Sequence, residues 1–297
     1  MHKSVLLQEV IEIFNPQPGQ KYIDATINGG GHAKAILERI RPEGKLLGID
    51  LDCDLISELK EEKNESLQLA CGNFADIVKI SKEYNFEKVN GILLDLGFSS
   101  YHIEKSGRGF SFMRDEPLDM RYRTAVSGNG SKIKTALEIL NNEDEREIGR
   151  ILREYGEERF AARIAKVIVE QRKIKPITST FQLVEVVERS TPRWYHRRSI
   201  HPATKTFQAL RIAVNRELKN LEKALEDSIN ILAGHGKIIV ISFHSLEDRL
   251  VKNFFKEKEK EQKLKILAKK PIRPTPLEIK INPRSRRAKL RTALKII

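Results

Sequence analysis

The residues best suited to chemistry are a glycine run closed by a histidine, Gly29-Gly30-Gly31-His32, and two acids, Asp50 and Asp95, that each end an apolar stretch. Glycines accept positive φ and have no Cβ to hold a ligand off the backbone. A glycine loop that leads into a helix offers N–H groups and the helix N-terminus to a nucleotide-like ligand. Asp50 lies about 20 residues beyond the loop, where an acceptor for ribose hydroxyls is expected. The loop is not G-x-G-x-x-G, so the dinucleotide fingerprint is absent. Singly, each residue has an ordinary reading: a tight turn, a turn acid, a cap, and for Phe74 a core aromatic. On one edge, Asp50, Phe74 and Asp95 would together suit adenosine. Asp50 would take the ribose, Phe74 would pack on the adenine, and Asp95 would sit near an amino-acid end.

Such a site needs elements that bring these residues to one edge. Lys21 to Thr26 alternates like a strand, Ala33 to Ile40 has helical spacing, and Lys45 to Ile49 is a second strand. Leu55 to Lys63, Leu67 to Ala70, Ala75 to Tyr84 and Val89 to Asp95 continue as helix, strand, helix, strand. This β-then-α rhythm predicts a parallel sheet with helices on both faces. Right-handed crossovers then place all four strand C-termini along one edge. The rhythm breaks after Asp95. Residues 99–130 are polar and glycine-rich, and helical patterns without strands follow, with Thr178, Ser179 or Thr180 as a cap before Phe181 to Arg189. Ala203 to Leu232 reads as one long helix ended by Gly234-His235-Gly236. Lys237 to Ser242 is a fifth strand, a helix starts near Ser245, and Lys289 to Ile297 is a last edge strand. The expected organisation is a discontinuous α/β core, residues 1–106 and 201–297, with an all-helical insertion at 107–200.

Composition narrows the classes. No run of 18 apolar residues exists, and Met1 to Leu7 lacks the apolar core of a secretion signal. Cys53 and Cys71 make neither a disulfide framework nor a metal spacing, and read as reduced residues of a cytoplasmic protein. The net charge of +13 is segregated: Lys252 to Ile297 holds 16 Lys/Arg against 4 Asp/Glu. A solvated helix accounts for part of it, but Pro283 to Arg291 contains no acid. That run points to a polyanion partner, most simply nucleic acid.

Longer motifs carry a resemblance over nearly the whole chain. They are HKSVLL (His2 to Leu7), YIDATINGGGH (Tyr22 to His32), GILLDLGFSS (Gly91 to Ser100), RGFSFMRDEPLDMR (Arg108 to Arg121) and YGEERFAARI (Tyr155 to Ile164). HPATKTFQALRIAVNREL (His201 to Leu218), ISFHSLEDR (Ile241 to Arg249) and NPRSRRAKLR (Asn282 to Arg291) follow. In these the chain resembles the bacterial 16S rRNA cytosine-N4 methyltransferase (RsmH, or MraW) family. The resemblance implies a class I S-adenosylmethionine-dependent methyltransferase, Rossmann-like, with a helical insertion for substrate recognition. It implies a cytidine in the decoding centre (P site) of 16S rRNA as acceptor and the small ribosomal subunit as partner. The oligomeric state, monomer or homodimer, stays open. Implied cofactor positions are Gly29, Gly30, Gly31, His32, Asp50, Phe74, Asp95 and His102. The chain has Ala33 and His102 where the family often has Ser and Gln.

Methyl transfer from a sulfonium is an in-line displacement that needs alignment and no metal. The cytosine amine is a weak nucleophile because its lone pair is delocalised into the ring. Accepting hydrogen bonds from it would favour a nucleophilic geometry. Candidates are Asp95, a backbone carbonyl around Leu96-Gly97, and the Ser242-Phe243-His244-Ser245 turn, with His244 as a proton relay or simply a hydrogen-bonded turn residue. Asp119 and Arg121 are further candidates. Phe98, Phe110, Phe112, Phe243 or Trp194 could stack on an extruded base. The alternatives are a methyltransferase with another RNA substrate, a nicotinamide-dependent oxidoreductase, or an RNA-binding protein that kept the fold.

Overall fold

The computed structural model describes residues 3–61, 64–97, 106–122, 133–198 and 200–297. The chain divides into two compact units, Met1–Gly97 with Leu218–Ile297, and Phe98–Glu217. A seven-stranded sheet organises the first. Its strands are β1 (Lys21–Asp24), β2 (Lys45–Asp50), β3 (Leu67–Cys71), β4 (Val89–Asp95), β5 (Leu232–Ser242), β6 (Leu264–Ile266) and β7 (Lys289–Lys295). The helices α1 (Leu7–Phe14), α2 (Gly31–Ile40), α3 (Cys53–Lys60) and α4 (Ile77–Glu83) alternate with the early strands. The second unit holds α5 (Ala136–Asn142), α6 (Glu145–Glu154), α7 (Ala161–Ile174), α8 (Thr180–Ser190), α9 (Arg193–His196) and α10 (Thr204–Asn215). Then come α11 (Glu217–Ile231), α12 (Ser245–Lys260) and α13 (Pro276–Ile281).

The strand order is β3-β2-β1-β4-β5-β7-β6. β1 to β5 pair in parallel, and β7 runs antiparallel between β5 and β6. This is the class I, Rossmann-like arrangement. Strand alternation sorts the core onto two faces. Leu47, Ile49, Ile92, Leu94, Ile238 and Val240 pack with Leu221, Leu225, Val251 and Phe255 of α11 and α12. Leu46, Leu93, Ile239 and Ile241 pack with Phe14, Ile36, Ile40 and Ile56 of α1 to α3. Each fully buried Leu or Ile here contributes about 1.5–3 kcal/mol.

Four expectations change. The pattern from Ala203 to Leu232 is two helices, because Arg216 takes a left-handed conformation (φ 51°). Asn215 sits at that break and hydrogen-bonds both Met120 O (2.8 Å) and Tyr122 N (3.0 Å). α10 buries Phe207 and Leu210 with Ile148 and Leu152 of α6, so the expected cuts at 106/107 and 200/201 both fall inside the second unit. β5 already begins at Leu232, and a register shift opposite Val89 and Gly91 absorbs the Gly234-His235-Gly236 turn. β7 is not at the edge, since the short β6 covers it.

The cysteines also differ from expectation. Cys53 and Cys71 form a disulfide, with Cα atoms 5.1 Å apart. Asp50 pairs with Cys71 in the β2–β3 register, and Cys53 opens α3 three residues after Asp50. Parallel pairing therefore brings together two thiols 18 residues apart in sequence. That proximity is invisible without the strand neighbours. The bridge joins the turn after Asp50 to the turn before Phe74. No helix among the described residues is long and apolar enough to cross a membrane.

Candidate functional site

The strand order reverses between β1 and β4, so the crevice for a ligand opens beyond their C-terminal ends. The segment after β1 spans that crevice. Ala25 N–H donates to Leu93 O (2.9 Å), and Ile27 N–H donates to Ile49 O (2.9 Å). Thr26 Oγ1 accepts from the Asp95 backbone N–H (2.6 Å). The chain then turns through Asn28 (φ 47°) and Gly30 (φ 74°) into α2. Gly30 is the N-cap of α2 and makes no side-chain cap, so the first N–H groups of the helix are left to other acceptors.

Three carboxylates end three neighbouring strands: Asp24 on β1, Asp50 on β2 and Asp95 on β4. Asp50 is half-buried. Its Oδ2 accepts from Asn28 N–H (3.0 Å) and its Oδ1 from Asp52 N–H (3.0 Å). Each oxygen keeps a second lone pair for a ligand hydroxyl. Burial pushes this carboxyl up to about 6, against the backbone donors from Asp52 and Asn28 that favour its charged form. Asp95 is buried. Its Oδ1 accepts from Gly97 N–H (3.0 Å), and its Oδ2 lies 3.7 Å from His32 Nδ1. A Cβ on Gly97 would stand 2.9 Å from Asp95 Oδ1 and 3.0 Å from Phe243, so glycine lets the turn close around the carboxylate.

Asp24 was missed in the sequence, where it reads as one more residue of the first strand. It is 1% exposed, and its Oδ1 accepts from Thr26 N–H (3.2 Å). Burial, with the nearby charges of Asp95 and Asp50, pushes its carboxyl up to about 8. The available signal was that Asp24, like Asp50 and Asp95, closes an apolar strand.

The other expected positions divide. Gly29, Gly30 and Gly31 form the loop and the start of α2. His32 is buried beneath it, with Nε2 3.0 Å from Val5 O, so it ties the HKSVLL segment to the Asp95 side of the crevice. That segment is pinned from outside by Glu278 Oε1, which accepts from Leu6 N–H (2.8 Å). Phe74 is half-buried on a 3-10 turn after β3, capped by Asn73. His102 and Phe98 lie outside the described residues.

The β5 turn is occupied by structural bonds. The Ser242 hydroxyl donates to Lys289 O of β7 (3.2 Å), which turns it to the neighbouring strand. His244 is the N-cap of α12: its Nδ1 accepts from Glu247 N–H (3.4 Å), and Glu247 Oε2 accepts from Phe243 N–H (2.9 Å). The ring therefore has a helix-capping task. In the second unit, Arg121 makes a bidentate pair with Asp119 (2.6 and 2.8 Å). Phe110 stacks on Tyr122 and Phe112 on His201, so both rings are already packed. Trp194 is 51% exposed.

Two cations of the C-terminal basic run are paired within the fold. Lys289 Nζ and Arg291 Nε bind the two oxygens of Asp248 at 2.8 and 2.6 Å. Burial alone would raise that carboxyl, but the two cations outweigh it and hold it below its usual value. These charges staple β7 to α12. Arg286 and Arg287 remain exposed.

Known proteins match this chain along nearly its whole length. The MraW methylase family profile matches residues 1–296. A protein of Clostridium botulinum (strain 657) called ribosomal RNA small subunit methyltransferase H is 45% identical over 312 residues, covering 99% of each chain. Proteins of the same name from Syntrophus aciditrophicus and Geobacter sulfurreducens are 43% and 42% identical, each over 99% of this chain. An Aeropyrum pernix fibrillarin holding S-adenosyl-L-methionine superposes with a TM-score of 0.40 at 9% identity, over 93% of this chain and 67% of that one. With its full-length match, its β3-β2-β1-β4-β5-β7-β6 sheet and its glycine loop at the switch point, the chain belongs to the MraW methylase family and is a methyltransferase.

Proposed function

We propose that this protein transfers the methyl group of S-adenosylmethionine to N4 of a cytidine in the decoding centre of 16S rRNA. The observation that supports it most is the row of strand-end carboxylates at the switch point, which fits a cofactor bearing ribose hydroxyls and a cationic amino-acid end. The cofactor, when bound, supplies an electrophilic methyl group on a sulfonium. This chain's residues orient and exclude. The Asp50 oxygens would accept hydrogen bonds from the ribose hydroxyls, the Gly29 to Gly31 loop would let backbone approach, and Phe74 would flank the adenine. Gly97 and Thr26 fix Asp95, whose carboxylate accepts from amines. A buried acceptor on N4 of cytosine would draw its lone pair out of conjugation. Ser242 and His244 have structural partners and take no part in the transfer.

The test is transfer of labelled methyl from S-adenosylmethionine to small subunits from cells lacking the enzyme, followed by nucleoside analysis. N4-methylcytidine in the decoding region is the expected product, and label on another base would reject the substrate.

Cofactor affinity should depend on Asp50. Asp50→Ala removes the acceptor for two buried hydroxyls and should weaken S-adenosylmethionine binding by about 1–3 kcal/mol, read by calorimetry. In the native protein, affinity should also fall as pH drops below about 6, where this carboxyl takes up a proton. A pH-independent affinity, or an unchanged one in Asp50→Ala, would remove Asp50 from the site.

A further inference from the structure

The second unit carries a cluster that the cofactor chemistry does not use. The four-residue helix α9 is fixed from below by Tyr195, which is buried and donates its hydroxyl to Glu158 Oε2 at 2.7 Å. Phe160 packs edge-on against Tyr195 (5.0 Å) and against Trp194 (5.9 Å). These contacts seat Trp194 on a packed base while half of its surface faces solvent. Around it stand cations. The Arg159 guanidinium lies 5.7 Å from the Trp194 ring, and Arg198 lies 5.0 Å from the Tyr195 ring. Arg193 and Arg197 are exposed and one helical turn apart. None of these four arginines pairs with a described carboxylate, and the carboxylate beneath them, Glu158, is turned inward to Tyr195.

An exposed ring held in place and ringed by unneutralised guanidinium groups has the chemistry of a single-stranded nucleic-acid site. Unpaired bases stack on aromatic faces whatever their identity, and Arg takes phosphate or stacks beside the base. An anionic membrane is a poorer fit, since α9 exposes a single apolar side chain, Trp194, and no apolar face. We infer that Trp194, with Arg159, Arg193, Arg197 and Arg198, is an RNA-docking surface that stacks an unpaired base of the substrate and binds its flanking phosphates. The inference rests on the RNA methyltransferase reading and extends it to a contact made by the second unit.

Trp194 is the only tryptophan in the chain, so its fluorescence reports the contact directly. Titrating the full-length protein with a single-stranded fragment of small-subunit rRNA should quench that emission in proportion to binding. Trp194→Ala should weaken RNA affinity about 10-fold or more, while Trp194→Phe, which keeps a stacking face, should restore most of it. Arg193→Gln with Arg197→Gln should flatten the slope of log affinity against log salt by about 1.4 units. An enzyme that methylates rRNA without any change in Trp194 emission would overturn the docking surface and leave the activity standing. No methyl transfer to rRNA, with or without quenching, would instead defeat the underlying reading. Equal quenching by polyphosphate or polyglutamate, which have no bases, would overturn the stacking role.

Discussion

Asp95→Asn should lower the maximal rate of methyl transfer at saturating S-adenosylmethionine by roughly 10- to 150-fold, the range for losing a charged hydrogen-bond acceptor. The substitution keeps the size and one acceptor oxygen. The Gly97 N–H bond and the Thr26 bond to the backbone of residue 95 can persist, so the turn should stay folded. What goes is the negative charge beside a buried histidine and a second buried acid. Steady-state kinetics separate two roles. If the carboxylate only holds the cofactor, raising the cofactor concentration restores the rate. If it also orients the cytosine amine, the rate stays low at saturation. The second outcome is expected, because Asp95 is the acceptor on the crevice side of β4, whereas Ser242 and His244 are bonded elsewhere. Full rescue would confine Asp95 to binding.

Asp24→Asn should stabilise the protein at pH 8–9 by on the order of 2–5 kcal/mol and flatten its pH dependence above pH 4. Asp24 is fully buried, and its carboxyl is pushed from an ordinary 3.8 to about 8. A raised carboxyl value works against the fold as pH rises. Below about 4 both states are protonated and nothing is lost. Between about 4 and 8 the unfolded chain ionises while the folded one holds its proton, so stability falls. Above 8 the full penalty remains. Asparagine cannot ionise, yet its amide oxygen can still accept from Thr26 N–H. Thermal melts at several pH values check this. Equal pH profiles for both proteins would mean that Asp24 is ionised in the fold, stabilised by its backbone bond.

Local order was legible in the sequence. Alternating and continuous apolar runs revealed β1 to β5, because side-chain direction in a strand depends only on position along it. Glycines at 29–31 and acids at 50 and 95 stood at strand ends, which placed them on one edge once the crossover rule was applied. Ser179 was among the candidate caps for α8, and Gln182 Oε1 does accept from its N–H (3.3 Å). The long motifs supplied the family.

Tertiary structure decided what depends on partners distant in sequence. Asp24 joins the site only because β1 lies between β2 and β4, where burial and two other acids alter its proton affinity. Cys53 and Cys71 meet through parallel pairing of β2 with β3. Lys289 and Arg291 looked free because no acid is near them in sequence, but Asp248, 41 and 43 residues away, pairs with both. His244 read as a proton relay or a hydrogen-bonded turn residue, and its capping contact with Glu247 of α12 shows only in the folded chain. In each case the residue type was plain, and its task was set by a neighbour that only chain folding brings within a few ångströms.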